Sequence, residues 1–331
     1  MTPARSTGDP GRPGSFRYLA ASVQPSLYRN GEVLTRRDSD GSDAGFEGVV
    51  IEKRDMLVRD ARLIDGGSRP SLAENGFELL TRRFDHADLD FLQHEQVVGE
   101  YYGDCARIVQ DLTGAAQVFA FDHNVRSAQG KKSRTRIAGG QQVQGPAHMV
   151  HGDYTLASAP QRLRELAQPP SRNDTLRPFL ADGRSVIPPE LVDRALGQGG
   201  RFAVINVWRN IADQPVATRP IALCDAQSVD PEDLVVFEIH YQDRIGENYF
   251  ARHSPRHRWY FYPELTRDEA LLIKQWDSAG ALAQSRGKQA DAGAGAAPCT
   301  FSFHSAFKDP ATPPDAPDRW SIEVRCAALY D

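Results

Sequence analysis

The stretch PAHMVHGDYT, residues 146–155, ends an apolar run with the pattern His151-Gly152-Asp153. Residues two apart in a strand project from the same face, so this pattern can bring one imidazole and one carboxylate to a single metal ion. A third ligand must come from another strand, and His304, inside the strand-like segment CTFSFHSAF (299–307), is the best candidate. Two histidines and one carboxylate on one face of iron(II) leave three positions open for other ligands. The spacing H-x-D is common by itself, so the interpretation depends on the rest of the chain.

The chain beyond residue 201 is a series of short segments that are rich in aromatic and β-branched residues and separated by turn residues. Examples are RFAVINVW (201–208), EDLVVFEIHYQ (232–242), HRWYFYPEL (257–265) and WSIEVRCAALY (320–330). Many short strands with little helix between them predict an antiparallel barrel or jelly roll. A further hairpin with a long loop is predicted over 30–50, from NGEVLTRRDSDGSDAGFEGVV.

Three stretches favour helix. Apolar residues recur at spacings of three and four over 89–112, with Gly114 where a helix would end. The stretch 158–197 alternates helix-like segments with proline-rich turns, which predicts a helical insertion. RDEALLIKQWDSA (267–279) predicts one further helix, with Thr266 or Asp268 as its N-cap.

Two stretches are predicted to be flexible. Residues 1–15 are rich in Pro, Gly and Arg and predict a disordered leader, because they bury too little apolar surface to offset the entropy of ordering. The low-complexity stretch 280–298 predicts a flexible surface loop. Since the candidate site residues spread over both groups of strands, residues 16–331 are predicted to form a single domain.

Composition narrows the class of protein. The formal charge of −5 argues against a nucleic-acid or membrane-surface binder, which is usually basic. No stretch approaches the roughly 18 uninterrupted apolar residues of a membrane span, and no apolar signal segment is visible. We therefore expect a cytoplasmic protein with no nucleic-acid or membrane partner. The composition favours no particular oligomeric state.

A candidate anion clamp follows His304. Arg319 lies fifteen residues later, past a turn rich in Pro and Asp, and Ser321 shares its face at the start of the last strand. An arginine binds a carboxylate through paired, charge-assisted hydrogen bonds, so this R-x-S pattern could hold one carboxylate. Arg325 lies on the same strand at even spacing and is the alternative clamp.

Together, H-x-D, a distant histidine and R-x-S at this spacing resemble the iron(II)/2-oxoglutarate dioxygenases of the double-stranded β-helix fold. The wider pattern is similar to the hydroxylase/desaturase group, which includes the cephamycin 7-alpha-methoxylation component and fungal gibberellin-desaturase-like oxygenases. It covers about residues 100–330 and is carried by FDHNVR (121–126), HGDYT (151–155), INVWRNI (205–211), PIALCDAQSV (220–229), HRWYFYPELTRDEALLIKQWDS (257–278) and RWSIEVR (319–325). The chain departs from the group at Asn210, since in the group a proline follows the arginine.

The resemblance implies a mainly β fold with flanking helices around a double-stranded β-helix (jelly-roll or cupin-like) core. It implies that Fe(II) is held by His151, Asp153 and His304. The implied cosubstrates are 2-oxoglutarate, bound by Arg319 with Ser321 or by Arg325, and O2. The implied reaction decarboxylates 2-oxoglutarate to succinate and hydroxylates or desaturates an unactivated carbon of a small, secondary metabolite.

Five residues are predicted to contact the substrate, each with a structural alternative such as a turn, an ion pair or core packing: Arg209, Trp208, His123, Arg126 and Tyr154. The basic segment GKKSRTRIAGGQQ (130–142) is predicted as a mobile loop that could close over the cavity, with Gly130, Gly139 and Gly140 as hinges. Its alternative is a solvated run of charge. In the lid interpretation, Trp208 and Arg209 form the opposite wall and suit a substrate with a carboxylate or carbonyl beside an apolar body.

Two other functions stay open. A cupin-like metal oxygenase that does not use 2-oxoglutarate would have no use for Arg319 and Ser321, so dependence on 2-oxoglutarate separates the two. A non-catalytic barrel that binds a metabolite or assists a partner enzyme would have no reason to carry three metal ligands. The carboxylate of Asp153 argues against halogenation, because it fills the position in which a halide would bind the metal.

Overall fold

Strands make up most of the regular structure in the computed structural model, which describes residues 11–37, 43–64, 69–86, 88–172, 174–241, 244–293 and 295–331. The strands within these ranges are β1 (Arg12–Leu19), β2 (Leu34–Arg37), β3 (Asp43–Glu47), β4 (Ile51–Asp60), β5 (Phe77–Thr81), β6 (Gln117–Arg126), β7 (His151–Gly152), β8 (Arg201–Asn210), β9 (Ile221–Cys224), β10 (Leu234–His240), β11 (Ile245–Ala251), β12 (Trp259–Phe261), β13 (Glu269–Asp277), β14 (His304–Ala306) and β15 (Ser321–Tyr330).

The helices are short and lie between the strands. They are α1 (His94–Gln96), α2 (Tyr102–Thr113), α3 (Ala128–Lys132), α4 (Ser158–Leu166), α5 (Pro189–Leu196) and α6 (Ala281–Gln284). A π-helical turn, Val97–Tyr101, joins α1 to α2, and 3₁₀ turns cover Ala61–Leu63, Ala226–Ser228 and Pro231–Asp233. Among the helices of the described ranges, none has the length and apolar character needed to cross a membrane.

The strands form two curled sheets. The larger has the order β1-β4-β12-β9-β14-β7-β11-β10-β2-β3, and the smaller has the order β5-β13-β8-β15-β6. Neighbouring strands are antiparallel except for two parallel pairs, β2 with β10 and β4 with β12. Neighbours in the sheets come from distant parts of the chain, as where β14 lies between β9 and β7, and the two curled sheets form a core of the jelly-roll type. The predicted mainly β fold with flanking helices and a jelly-roll core is confirmed.

The smaller sheet is buried on both faces. Nearly every residue of β8 and β15 is buried, rather than every second one, because α2 packs on one face and the larger sheet covers the other. Ile108 and Val109 of α2 belong to this packing. Since side chains alternate along a strand, Asn206 and Trp208 of β8 point into the space between the sheets, while Arg209 points to the helical side.

Residues 267–279, predicted as a helix, instead form strand β13, which pairs with β5 on one side and β8 on the other. Leu271, Leu272 and Ile273 are all buried because both faces of this strand are covered. A strand buried on both faces has no polar side, so periodicity cannot distinguish its apolar run from a buried helix. Thr266, the proposed N-cap, lies in the turn before the strand, where its N–H donates to Glu269 Oε2 at 2.9 Å.

The helix predicted over 89–112 begins later, at His94, and ends at Thr113. Gly114 follows with a φ of 65°, and its N–H donates to the carbonyl of Gln110, so the predicted glycine stop is confirmed. The stretch 158–197 contains α4 and α5. The hairpin predicted over 30–50 is formed by β2 and β3, and its connecting residues 38–42 lie outside the described ranges.

Both stretches predicted as flexible contain ordered structure. Residues 1–10 of the predicted leader lie outside the described ranges, but residues 12–15 belong to β1, which pairs with β4. In the stretch 280–298, α6 packs Leu282 into the core, and the buried Asp291 accepts hydrogen bonds from the backbone N–H groups of Leu282 and Thr300. These backbone contacts hold the loop against the core, which its low-complexity sequence did not indicate.

Candidate active site

Two of the candidate ligands face each other across adjacent strands. β14 pairs antiparallel with β7, and His304 is directly opposite His151 in the ladder. Asp153 directly follows β7, and one ligand atom from each of the three side chains lies within 4.8 Å of the others. The structure therefore brings together the three candidate metal ligands that the sequence analysis selected.

A backbone contact orients His151. Its Nδ1 lies 2.8 Å from the Met149 carbonyl, which leaves Nε2 free for the site. Nε2 of His151 lies 3.7 Å from Oδ1 of Asp153, and Nε2 of His304 lies 4.0 Å from the same oxygen. Burial, together with the neighbouring His151, lowers the pKa of His304 to about 4. The imidazole of His304 is therefore neutral and has a lone pair available for a metal.

The two carboxylate oxygens of Asp153 have different surroundings. Oδ1 faces the histidines, whereas Oδ2 accepts a hydrogen bond from Nδ2 of Asn206 at 3.1 Å and lies 3.4 Å from both Nε and Nη2 of Arg325. Burial opposes ionisation, but Arg325, the two histidines and Asn206 together hold the pKa of Asp153 well below its usual range. Asp153 is therefore an anionic ligand at neutral pH.

The donor set fits iron(II). Two neutral imidazoles and one carboxylate form the facial arrangement of non-haem iron oxygenases, which leaves open positions on the metal. Across the described residues, no other group of three or more His, Cys, Asp or Glu side chains brings its ligand atoms this close together. The chemistry of these side chains and their burial therefore support the metal predicted from the sequence.

A small cavity adjoins the two histidines. His151, His304, Trp208 and Arg319 are among its lining residues. The guanidinium of Arg319 is buried, and its carbon lies 5.7 Å from the centre of the Trp208 ring. Ser321, two residues further on, is also buried. Arg319 of the predicted clamp and two of the predicted iron ligands thus line the same small cavity.

Arg319 forms no ion pair with any described residue, although the carboxylate of Glu323 lines the same small cavity. Its Nη1 donates to the backbone carbonyl of Arg219 at 2.6 Å, but its Nε and the hydroxyl oxygen of Ser321 are buried without a hydrogen-bond partner among the described residues. Burial, and then the nearby Arg126, lower the pKa of Arg319 to about 9. A carboxylate in the cavity would accept from Nε and add a negative charge in direct contact with the guanidinium.

A second, much larger cavity of about 1040 Å³ also reaches the metal ligands, through His151 and Asp153. Three of the predicted substrate residues line it, namely His123, Arg126 and Tyr154. Arg126 is ion-paired with Glu323 at 3.0 Å and also lines the small cavity. The large cavity has room for a metabolite next to the metal ligands.

Arg209 and Trp208 do not form the wall that was predicted opposite the loop 130–142. Arg209 is buried on the helical face of β8, where Nε donates to the hydroxyl of Tyr101 at 2.9 Å and Nη1 donates to the carbonyls of Arg82 and Arg267. It lines neither cavity. Trp208 lines the small cavity, beneath Arg319, rather than the large one. Side chains alternate along the strand, so Arg209 packs on the helical side of the sheet and Trp208 contacts Arg319.

Arg325, the alternative clamp, is engaged elsewhere. Its Nη1 donates to Asp122 Oδ2 at 2.6 Å, while Nε and Nη2 contact Asp153. Arg325 lines the large cavity and not the small one. Nη2 also lies 3.7 Å from Glu323 Oε1, so with three carboxylates around it Arg325 has little capacity left to bind the far carboxylate of a cosubstrate.

Three polar residues at the site were missed in the sequence analysis: Asn206, Asp122 and Glu323. Asn206 lies in the apolar strand RFAVINVW and Glu323 in the strand WSIEVRCAALY. A polar side chain at a buried strand position is costly unless it has a partner. The polar residue type within each apolar strand could therefore have indicated that Asn206 and Glu323 contact the site. Asp122 lies in FDHNVR, where its neighbour His123 was selected instead.

The basic segment 130–142 is held in place by hydrogen bonds. The N–H of Thr135 donates to the carbonyl of Gly130, and the N–H of Val143 donates to the carbonyl of Thr135. Gly130 is buried, and a Cβ there would meet Trp320 and Val143 at 2.8 Å, so it is a packing position rather than an open hinge. Lys131, Lys132, Arg134 and Arg136 are exposed, and only the end of the segment, residues 137 and 139–141, lines the large cavity.

Comparison with known proteins places the chain in a wider group. A family model described as "YDMC: Oxidoreductase/YMDC permease-like domain" matches residues 29–329. An uncharacterized protein in the dcmA 3′ region of Methylophilus leisingeri is 41% identical over 194 residues, which are 59% of this chain and 88% of that protein. The alpha-ketoglutarate-dependent dioxygenase phiK of a fungal species is 29% identical over 304 residues, which are 88% of this chain and 92% of that protein. Further fungal relatives are named hydroxylase/desaturase.

A solved structure has the same fold. The iron and alpha-ketoglutarate-dependent endoperoxidase NvfI superimposes with a TM-score of 0.69 and 21% sequence identity, over 96% of this chain and 97% of that chain. The superposition therefore extends over both sheets and the helices between them.

Proposed function

The chain belongs to the family described as the oxidoreductase/YMDC permease-like domain, and we propose that it is an iron(II)/2-oxoglutarate-dependent oxygenase that hydroxylates or desaturates a small, secondary metabolite. The names of its relatives confirm the resemblance to 2-oxoglutarate dioxygenases and fungal hydroxylase/desaturases. The comparison with the cephamycin component and the cytoplasmic location stay predictions.

The observation that carries this proposal is that the metal ligands adjoin two different cavities. His151 lines both the small cavity, which contains Arg319, and the large one. The small cavity has a volume of only about 20 Å³, so a dicarboxylate would bind on the Arg319 side of the metal by widening it, while a larger molecule binds in the other cavity. A cupin-like oxygenase without 2-oxoglutarate would leave the buried Arg319 without an ion pair, and a non-catalytic barrel would leave three converging ligands unexplained.

With iron(II) bound, the site supplies oxidation of a substrate C–H bond by dioxygen, coupled to decarboxylation of 2-oxoglutarate to succinate and carbon dioxide. His151 and His304 would hold the metal as neutral imidazoles and Asp153 as an anion. Tyr154 lines the large cavity, and burial raises its pKa to about 12, so it presents a protonated hydroxyl to the substrate. The enclosure of the site by the two sheets limits the access of bulk water to the reacting atoms.

Arg319 is the proposed clamp for the far carboxylate of 2-oxoglutarate, with Ser321 beside it. The support for this role is that Nε of Arg319 and Oγ of Ser321 are buried polar atoms without partners among the described residues, next to the cavity that the two histidines share. A buried guanidinium with an unsatisfied N–H and no directly paired carboxylate is costly, and a bound carboxylate removes that cost. Arg325 is a poorer candidate because Asp122 and Asp153 occupy its donors.

The large cavity is the proposed substrate site, and its charges favour a substrate that carries an anionic group. Arg172 and Arg177 lie on its wall, are exposed, and form no ion pair with any residue of the described ranges. Phe121, Ile137 and Ile239 contribute apolar surface to the same wall. A metabolite with a carboxylate or a similar anion beside an apolar body would match both features.

The test is incubation of purified protein with Fe(II), 2-oxoglutarate, ascorbate and a panel of anionic and neutral pathway metabolites. We expect succinate production that requires both 2-oxoglutarate and a substrate. The mass of that substrate should rise by one oxygen atom if it is hydroxylated, or fall by two hydrogen atoms if it is desaturated. Substrate oxidation without any need for 2-oxoglutarate would support the cupin-like alternative. Metabolite binding with neither metal binding nor turnover would support the non-catalytic barrel.

A further inference from the structure

We infer that Asn206 and Arg325 are positioning residues that make Asp153 bind its metal through Oδ1 alone. This inference rests on the proposed function, because it concerns the same iron site. An aspartate that used both oxygens would fill one more coordination position on the metal. That position is one that 2-oxoglutarate or dioxygen requires, so the binding mode of Asp153 decides how many cosubstrate atoms the metal can accept.

Asn206 provides a neutral hydrogen bond to Oδ2. Its side chain is fully buried in β8, which is paired on both sides, and Nδ2 donates to Asp153 Oδ2 at 3.1 Å. The amide oxygen of Asn206 is buried without a partner among the described residues. An amide that leaves its oxygen unsatisfied in an apolar strand is costly for folding. The hydrogen bond from Asn206 to Asp153 therefore explains why a polar residue occupies this buried position.

Arg325 holds the same oxygen from β15. Its Nε and Nη2 both lie 3.4 Å from Asp153 Oδ2, while Nη1 donates to Asp122 at 2.6 Å. Arg325 and Asp122 are direct partners in the ladder between β15 and β6, and Asp122 also accepts from the hydroxyl of Thr175. The planar guanidinium can reach two carboxylates at once, which the single ammonium of a lysine cannot do equally well. Asp122 thus fixes the orientation in which Arg325 meets Asp153.

The two carboxylate oxygens of Asp153 have different roles: Oδ1 faces the metal position and Oδ2 accepts the contacts from Asn206 and Arg325. Oδ1 lies 3.7 Å and 4.0 Å from the Nε2 atoms of His151 and His304 and is the oxygen that shares the metal position with them. Oδ2 receives the contacts from Asn206 and Arg325 and is turned to the smaller sheet. Removing either contact frees Oδ2 to rotate toward the metal.

The experiment compares three variants that preserve charge at neutral pH: Asn206→Leu, Arg325→Lys and, as a control, Arg201→Lys. Arg201 lies on β8 with Asn206, but it is ion-paired with Asp277 at 2.8 Å and lines neither cavity. Metal-free protein is titrated with Co(II) against a competing chelator, and the visible spectrum of the bound Co(II) is recorded. We expect Asn206→Leu to lower the Co(II) affinity by about 10–100-fold, the usual effect of losing an outer hydrogen bond to a metal ligand. The absorption bands should change with it, because the coordination number changes.

Arg325→Lys should shift the affinity and the spectrum in the same direction, and Arg201→Lys should match the unmodified protein. Unchanged affinity and spectra in both Asn206→Leu and Arg325→Lys would overturn the inference, as would an equal loss in all three variants. Each of the two residues contacts Oδ2 independently, so if circular dichroism finds one variant unfolded, the other decides. Failure of the unmodified protein to bind Co(II) or Fe(II) would instead refute the proposed function.

Discussion

Trp208 and Arg209 are adjacent in β8, yet their side chains lie on opposite faces of the smaller sheet. Trp208 faces the small cavity beneath Arg319, whereas Arg209 is buried on the helical side against Tyr101. This separation removes Arg209 from the substrate site and makes it part of the core. It also shows that adjacent residues in a doubly buried strand can serve unrelated purposes.

Replacing Arg209 should destabilise the fold without weakening cosubstrate binding. Arg209→Met leaves the hydroxyl of Tyr101 and the carbonyls of Arg82 and Arg267 without their donor. We expect the free energy of unfolding to fall by about 2–4 kcal/mol, since each buried polar group left unpaired costs about 1–3 kcal/mol. Urea denaturation measures this loss. Arg83→Met is the matched control, because Arg83 is exposed and surface substitutions change stability by less than about 0.5 kcal/mol.

Arg319→Ala should raise the KM for 2-oxoglutarate strongly. Breaking a buried charge pair costs about 2–5 kcal/mol, which corresponds to a rise of roughly 30-fold or more. The measurement is succinate production at increasing 2-oxoglutarate with saturating Fe(II). Should Arg325→Ala raise this KM at saturating metal while Arg319→Ala does not, the clamp has been assigned to the wrong arginine.

His304→Ala should abolish tight metal binding while the protein remains folded. His304 supplies one of three ligands, so the loss of Fe(II) or Co(II) affinity should exceed the roughly 10–100-fold effect of losing an outer partner. Its Nδ1 has no partner among the described residues, so no second hydrogen bond is lost. His148→Ala is the control, because His148 contacts the Ala306 carbonyl and is not part of the ligand group. Equal metal affinity in the two variants would remove His304 from the site.

Neutralising the unpaired arginines of the large cavity should weaken substrate binding. We expect the double substitution Arg172→Gln with Arg177→Gln to raise the KM for an anionic substrate and to leave the KM for 2-oxoglutarate unchanged. The control is Lys131→Gln with Lys132→Gln, since these exposed cations lie outside the cavity lining. Substrate-dependent succinate production measures both. If only the lysine pair affects the substrate KM, the basic segment 130–142 attracts the substrate as the lid hypothesis requires.

Much of the site could be predicted because its chemistry is local. His151 and Asp153 are two residues apart, and the alternation of a strand alone places them on one face. Arg319 and Ser321 have the same spacing, although Arg319 lies just before β15 begins. The many short aromatic and β-branched segments indicated a jelly roll before any pairing was known. In each case the residue type and a spacing of a few positions carry the physical argument.

The remaining features depend on which surfaces the fold covers. Periodicity identifies a strand only when one of its faces is polar. Both faces of β13 are buried, so the apolar run Leu271-Leu272-Ile273 shows no alternation, and the prediction of a helix there is wrong. The same burial hid the direction of Arg209, because alternation tells which residues share a face but not which face encloses the cavity. Asn206 and Arg325 acquire their roles only when β8 and β15 of the smaller sheet pack over β7 and β14 of the larger one. Sequence by itself thus determined the ligand chemistry, through residue type and strand alternation. Only the tertiary structure decided which polar residues surround those ligands, because long-range strand pairing sets their neighbours.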